Sequence, residues 1–241
     1  MGAKNKKSVF GKWFNNVTLQ SILSDLSHAV SPERLGPRIT DRVLWRAMTD
    51  EAKIALTFDD GPQATYTPRL LEILDRYQIP ATFFLIGKHI EAQLELAQQI
   101  ARAGHEVANH TYSHPLLLKL QDEQIIEEIN RTHRLLNSLD SARPKFLRPP
   151  MGLFSKRVLD IVEQTGYQTV VGNVYPRDPH LPGKEKIVRR VLSRVVTGSI
   201  IILHDGGNSN HVDRSQTLAA VAEIVPHLQA RGFEFVRLSD L

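Results

Sequence analysis

From residue 51 onward, short apolar runs alternate with longer segments in which apolar residues recur every three or four positions. The short runs are typical of parallel strands, and the helical spacing between them is typical of crossover helices. The predicted strands are 54–60, 81–86, 106–109, 146–148, 168–172, 199–204 and 234–238. The predicted helices are 67–77, 90–103, 122–139, 155–166, 185–196 and 215–230.

This alternation without a linker predicts one α/β domain over residues 51–241. We expect a distorted (β/α) barrel of about seven parallel strands, similar to a TIM barrel, with its chemistry on the loops after the C-terminal strand ends. A doubly wound open sheet is the alternative, and it places its site at the same strand ends. Residues 1–50 are predicted to form a basic, helical N-terminal extension.

The formal charge of +4 is carried by residues 1–50, because the rest of the chain is balanced. Aromatic residues lie among the lysines near the start of this segment and allow a peripheral membrane contact through residues 1–20, but we favour a helical extension packed on the main domain. The chain has no recognised nucleic-acid-binding motif, so we expect no nucleic-acid partner. It also has no apolar run of transmembrane length and no signal-peptide core, which predicts a soluble, cytoplasmic protein.

With no cysteine in the chain, any metal ion must be held by His, Asp or Glu. The stretch Thr57–Pro62 is the first candidate site, because an apolar strand ends there in Asp59 and Asp60 before it breaks at Gly-Pro. Successive strand residues point to opposite faces, so the two carboxylates are expected in different environments with different roles. A solvated turn is the alternative for an isolated Asp-Asp-Gly-Pro.

Two histidines, His110 and His114, follow the third predicted strand at a spacing of four. On one helical turn both imidazoles can hold the same ion. Together with a carboxylate from another strand end they predict a two-His, one-carboxylate metal site with open positions for water and substrate. Asn109 and Ser113 are expected to orient the rings. An iron oxygenase uses a similar ligand set but gives no use to a second Asp or to His204.

Three further polar residues fall at strand ends or in a following loop. Arg148 precedes Pro149-Pro150, and a buried guanidinium there needs a carboxylate, which the non-ligand Asp of the first strand would supply. His204 ends the apolar run 200–203 and can act as a general acid near neutral pH. Asp178 is a candidate to raise the pKa of His204, although an Asp-Pro turn is its alternative role.

Taken together, these residues resemble the polysaccharide deacetylase family, also called the NodB homology domain, over about residues 51–241. The family's T-F-D-D-G-P motif is present in full, as are its H-[ST]-x-x-H motif and its late motif of an apolar residue two before a His. The matching positions are 57–62; His110, Thr111 and His114; and Ile202 and His204.

Two other family motifs are matched in part. Arg148 and Pro150 match the R-x-P motif, but Met151 stands where an aromatic residue is usual. Asp178 matches the first residue of the Asp-Trp motif, and Pro179 occupies the tryptophan position. Both departures remove a stacking face for a sugar ring, so they bear on the substrate rather than on the reaction.

The resemblance implies one divalent metal ion, usually zinc and sometimes cobalt, nickel or another transition ion. The ligands it implies are Asp60, His110 and His114. Asp59 would be the general base with Arg148 as its charge partner, and His204 the general acid supported by Asp178. The backbone N–H of Met151 would hold the oxyanion, and the residues implied for substrate binding are Met151, Ile202, Pro150 and Tyr175.

The implied function is a metal-dependent hydrolase that removes N-acetyl groups from N-acetylglucosamine units of chitin-like oligomers, peptidoglycan or a related glycan. A family member that hydrolyses a small cyclic amide or imide is the enzymatic alternative. An inactive relative that binds glycan or protein through the same cleft is the other.

Overall fold

The computed structural model describes residues 42–140, 142–207 and 212–241. Within these residues the strands are β1 (Val43–Leu44), β2 (Lys53–Asp59), β3 (Thr82–Leu85), β4 (Glu106–Asn109), β5 (Phe146–Leu147), β6 (Gln168–Val170), β7 (Ile200–His204) and β8 (Glu234–Val236). The helices are α1 (Thr67–Arg76), α2 (Gly87–Ala92), α3 (Leu94–Arg102), α4 (Asp122–Asn137), α5 (Lys156–Gln164), α6 (Lys184–Leu192) and α7 (Ser215–Ala230).

The strands form one parallel sheet in the order β1-β6-β5-β4-β3-β2-β7, and β8 also pairs with β2. A parallel bridge between Val174 and Ile201 joins the chain after β6 to β7, so the two sides of the sheet meet. The sheet therefore closes into an irregular barrel. This confirms the predicted α/β barrel of about seven parallel strands.

The barrel interior explains how β2 and β7 present their last residues. A buried apolar cluster fills it, made of Ala55, Phe84, Ala108, Phe146, Val170, Ile200 and Leu238. Alternate residues of a strand share a face, so Thr57 and Asp59 continue the row begun by Ala55. In the register of β7 against β2, Ile202 lies opposite Thr57 and His204 opposite Asp59. Asp59 and His204 are thus neighbours at one end of the interior.

The helices follow the predicted segments with one exception. The expected single helix 90–103 is wrong, because Gln93 has φ −142° and ψ 51° and divides the segment into α2 and α3. Ser155 caps the start of α5, since its hydroxyl accepts a hydrogen bond of 3.3 Å from the Val158 N–H.

The chain before β2 contributes to the sheet. β1 pairs with β6, and residues 42–50 contain this short strand and no helix. The predicted helical extension over residues 1–50 lies, apart from residues 42–50, outside the described part of the chain, as does the predicted membrane contact through residues 1–20. The predicted domain boundary after residue 50 stays a prediction. Within the described residues, none of the helices combines the length and the apolar character needed to cross a bilayer.

Candidate active site

The candidate site lies at the mouth of the barrel where the parallel strands end. β2 ends in Asp59 and is followed by Asp60, and β7 ends in His204. The other predicted site residues come from the loops after β4, β5 and β6: His110 and His114, Arg148, and Asp178. Because all these strands run in the same direction, their C-terminal ends deliver the side chains to one place.

Three candidate ligand atoms converge in this mouth. The Nε2 atoms of His110 and His114 lie 3.4 Å and 3.3 Å from Oδ1 of Asp60, and the three atoms all lie within 4.8 Å of one another. Asp60 Oδ1 is buried and makes no hydrogen bond with the described residues. A divalent cation satisfies such an orphaned oxygen, and two imidazoles with one carboxylate suit zinc and similar ions. The residues present therefore fit a metal ion.

The two imidazoles are prepared for ligation. His110 Nδ1 lies 2.7 Å from the Arg148 carbonyl oxygen. Because a carbonyl only accepts, Nδ1 carries a hydrogen, and Nε2 is the ring nitrogen that faces Asp60 and can bind an ion. Burial, together with the nearby His110, lowers the pKa of His114 to about 4. His114 is therefore neutral near pH 7, the form that binds a metal.

The backbone between the two histidines departs from the expected helical turn. Thr111 and His114 have φ of 64° and 60°, in the left-handed region. Asn109 and Ser113, which the sequence predicts to orient the rings, bond to the loop backbone and to α4. Asn109 accepts a 2.8 Å hydrogen bond from the Thr111 N–H, and Ser113 bonds to Glu128. Both residues hold the backbone of the loop.

The first turn of α2 and its N-cap contact both segments that carry the candidate ligands. Backbone and ring nitrogens of this turn donate to four carbonyl oxygens, two in each segment. The bonds are Ile86 N to Gly61 O at 3.0 Å, His89 Nδ1 to Asp60 O at 2.9 Å, Gly87 N to Thr111 O at 2.9 Å and Lys88 N to Tyr112 O at 2.9 Å. The segment carrying Asp60 and the segment carrying the histidines are thus attached to the same helix.

The close packing of residues 205 and 206 beside the Asp60 backbone was missed by sequence reasoning. Asp205 is fully buried, accepts a 2.5 Å hydrogen bond from the Thr67 hydroxyl, and has its pKa raised by burial to about 7. The next residue must be glycine, because a Cβ on Gly206 would lie 2.1 Å from the Asp60 carbonyl oxygen. The only signal in the sequence was that these residues directly follow His204.

Asp59 lies in a different environment from Asp60. Arg148 Nη1 donates to Asp59 Oδ1 and, at 2.9 Å, to the Thr57 hydroxyl. Asp59 and Arg148 are 3% and 2% exposed, and the guanidinium lies 3.9 Å above the Phe84 ring. The pair matches the expectation that the Asp outside the metal cluster would be the partner of the buried arginine.

His204 is held by Asp178, which is fully buried. Asp178 accepts from the ring Nδ1 and from the backbone N–H of His204, both at 3.0 Å, and from the Thr217 hydroxyl at 2.9 Å. Burial by itself lowers the pKa of His204, but the charge and hydrogen bond of Asp178, with the charges of Asp59 and Asp60, raise it to about 9. His204 is therefore protonated near pH 7.

The residues expected to bind substrate surround these groups. Ile202 is two residues before His204 on the same interior face of β7, and the Tyr175 ring centroid is 6.1 Å from that of His204. Pro150 is buried, whereas Met151 is 59% exposed with φ 61°. The short helical turn Pro150–Gly152 takes its hydrogen bonds from the two residues after Met151, which leaves the Met151 N–H free of that turn.

Comparison with known proteins adds a sequence family and a structural match. A family model described as polysaccharide deacetylase matches residues 46–170. The chain is 40% identical over 204 residues to a peptidoglycan-N-acetylglucosamine deacetylase of Bacillus cereus, covering 84% of this chain and 93% of the relative. It is 37% identical over 196 residues to a chitooligosaccharide deacetylase of a Bradyrhizobium species, covering 78% and 90%. The crystal structure of the Bc1960 peptidoglycan N-acetylglucosamine deacetylase matches with a TM-score of 0.78 and 32% identity, covering 83% of this chain and 92% of the other.

Proposed function

Because the chain belongs to the polysaccharide deacetylase family, we propose that it is a metal-dependent hydrolase that removes acetyl groups from N-acetylglucosamine units of a glycan. The observation that carries the proposal is the meeting of three separate devices in one mouth. These are the three-ligand cluster around Asp60, the buried Asp59–Arg148 pair, and His204 held protonated by Asp178. Amide hydrolysis needs an electrophilic centre, a base and an acid, and each device supplies one of them.

The metal site is assigned to Asp60, His110 and His114, with zinc as the proposed ion and cobalt, nickel or another transition ion as substitutes. An ion held there would polarise the acetyl carbonyl and make water a stronger nucleophile at neutral pH. Two neutral imidazoles and one carboxylate carry a net charge of −1, so the site leaves positive charge on a divalent ion for that work.

The chain's own residues perform the proton transfers. Asp59 takes a proton from water as the water oxygen attacks the amide carbon, and Arg148 balances the buried carboxylate while it does so. The Met151 N–H, free of its own turn, is placed to donate to the developing oxyanion. His204 gives its proton to the amide nitrogen as the C–N bond breaks, which releases the amine and acetate.

Substrate contacts are assigned to the residues around this proton path. Ile202 contributes an apolar wall for the acetyl methyl group, below His204. Pro150, Met151 and Tyr175 line the mouth on the sides of Arg148 and His204. Exposed Met151 and the turn residue Pro179 offer no aromatic face to a sugar ring, which specifically keeps a small cyclic amide or imide as a second candidate substrate.

Acetate release tests the proposal. The zinc-loaded protein is incubated with N-acetylglucosamine oligomers, with peptidoglycan and with cyclic imides, and acetate or ring-opened product is measured. We expect acetate from at least one glycan and loss of the activity after chelation. Turnover of the imides alone would replace the glycan with the second candidate. Zinc binding without turnover of any substrate would favour an inactive, ligand-binding relative.

A further inference from the structure

The second histidine of the proposed metal site lacks a support that the first one has. The His110 ring is fixed by the Arg148 carbonyl at 2.7 Å. Among the described residues, the ring of His114 has no hydrogen bond of this kind, and its close polar neighbour is Asp60. Its backbone is also left-handed, with φ 60°, a conformation that is unfavourable for an L-residue. The position of His114 therefore depends on what holds the residues beside it.

The residue directly before His114 is held at two points by Glu128 of α4. Glu128 Oε2 accepts from the Ser113 backbone N–H and Oε1 accepts from the Ser113 hydroxyl, both at 2.7 Å. Hydrogen bonds to an ionised carboxylate are about twice as strong as those between neutral groups. A carboxylate that binds both groups of one residue also fixes that residue's orientation.

The helix that carries Glu128 is itself firmly placed. Ile125 and Ile129, on either side of Glu128 along α4, are fully buried in an apolar cluster. The Ile129 carbonyl also accepts a 3.0 Å hydrogen bond from Asn109, the residue directly before His110. One helix therefore reaches both ends of the histidine loop.

We propose that Glu128 is a positioning residue for the metal site, which sets the His114 ring against Asp60 through Ser113. Glu128 is outside the ligand cluster, and both of its oxygens are bonded to Ser113. Its role is therefore to keep a left-handed ligand residue in the binding geometry before an ion arrives. The inference rests on the proposed metal site.

Zinc affinity is the test, measured on metal-free protein by competition with a chromophoric chelator. Glu128→Ala is expected to bind zinc about 10–100-fold more weakly than the unchanged protein, the usual effect of removing a group that orients a ligand. Glu128→Gln keeps an acceptor for the Ser113 N–H and a partner for its hydroxyl, so it should restore most of the affinity. Glu127→Ala is the matched control, because Glu127 is exposed on the same helix and pairs with Arg134.

Each result has one interpretation. If the unchanged protein binds no zinc, the proposed function fails before the variants matter. If it binds zinc and Glu128→Ala binds equally well, the positioning role is wrong and the proposed function stands. Thermal unfolding of the metal-free proteins shows whether the Ala variant folds. Should it not fold, Ser113→Ala, which removes only the hydroxyl bond, replaces it: weaker zinc binding supports the role and unchanged binding contradicts it.

Discussion

Replacing Asp178 with Asn is expected to move the basic limb of the pH–rate profile to lower pH. His204 can act as an acid only while it is protonated, and the structure raises its pKa to about 9. Asp178 is the largest of the influences that raise this pKa, through a 3.0 Å contact with Nδ1. Asn in its place keeps an acceptor for the ring but removes the negative charge, while the opposing effect of burial remains.

The size of the shift follows from the loss of one close charge. A neighbouring opposite charge moves a pKa by about 1–3 units, and each unit corresponds to about 1.4 kcal/mol. The apparent pKa of the basic limb of the kcat/KM profile should therefore fall by about 2 units. A bound cation lowers the pKa of His204 in both proteins, so the difference between the two profiles is the quantity to measure.

The interaction between His204 and Asp178 also makes the stability of the fold depend on pH. The folded-state pKa of His204 lies above its ordinary value of 6.5, so the interaction stabilises the fold fully below that pH and is lost as the pH rises through about 9. At pH 10 His204 of the unchanged folded protein has lost its proton, so its interaction with the Asp178 charge no longer stabilises the fold. Asp178→Asn should consequently lower the unfolding temperature more at pH 6 than at pH 10.

Acetate release from an N-acetylglucosamine oligomer, followed between about pH 5 and about pH 10, gives the profiles. Asp75→Asn is the matched control, because it makes the same chemical change at an exposed position on α1. A fall in kcat/KM at every pH with the basic limb in its original place would refute the assignment of the limb to His204 under the control of Asp178.

Three other outcomes are expected. Asp59→Asn should retain zinc and lose turnover by about 10²–10⁴-fold, whereas His110→Ala should lose both; full zinc occupancy in the His110 variant would contradict the ligand assignment. Arg148→Met should lower the free energy of unfolding by about 3–5 kcal/mol in denaturant titration, because it leaves the Asp59 carboxylate buried without a partner, and adding Asp59→Asn should recover part of the loss. Gly206→Ala should weaken zinc binding, since its Cβ would displace the Asp60 carbonyl 2.1 Å away; wild-type affinity would show that this segment yields without harm.

Much of the site was predictable because it depends on strand ends. Apolar runs that stop at Asp59 and at His204 identify C-terminal ends of parallel strands. Such ends lie together at one end of a barrel regardless of the conformation of the connecting loops. The different environments of Asp59 and Asp60 are expected from the alternation of side chains along a strand, but the structure ends β2 at Asp59 and gives Asp60 a left-handed φ of 71°. The meeting of the strand ends is thus predictable from the sequence, whereas the direction of the Asp60 side chain depends on the turn.

The parts that could not be predicted depend on loop backbone and on distant contacts. A spacing of four between His110 and His114 fits a helical turn, and nothing in the letters indicates two left-handed residues instead. Glu128 lies fifteen positions from Ser113, on a helix where exposed glutamates are ordinary, so only the packed structure selects it. β1 has two residues, too few to show an alternating pattern.

The attachment of both ligand segments to the start of α2 limits how the site can vary. A helix moves as a stiff rod, so any displacement of α2 carries the Asp60 segment and the Thr111–Tyr112 segment together and leaves their separation unchanged. The position of His114 is set separately, because its neighbour Ser113 is anchored to α4. Insertions between β3 and α2 should be tolerated poorly, because one extra residue would move the N–H donors at the start of α2 away from the carbonyl oxygens of both segments.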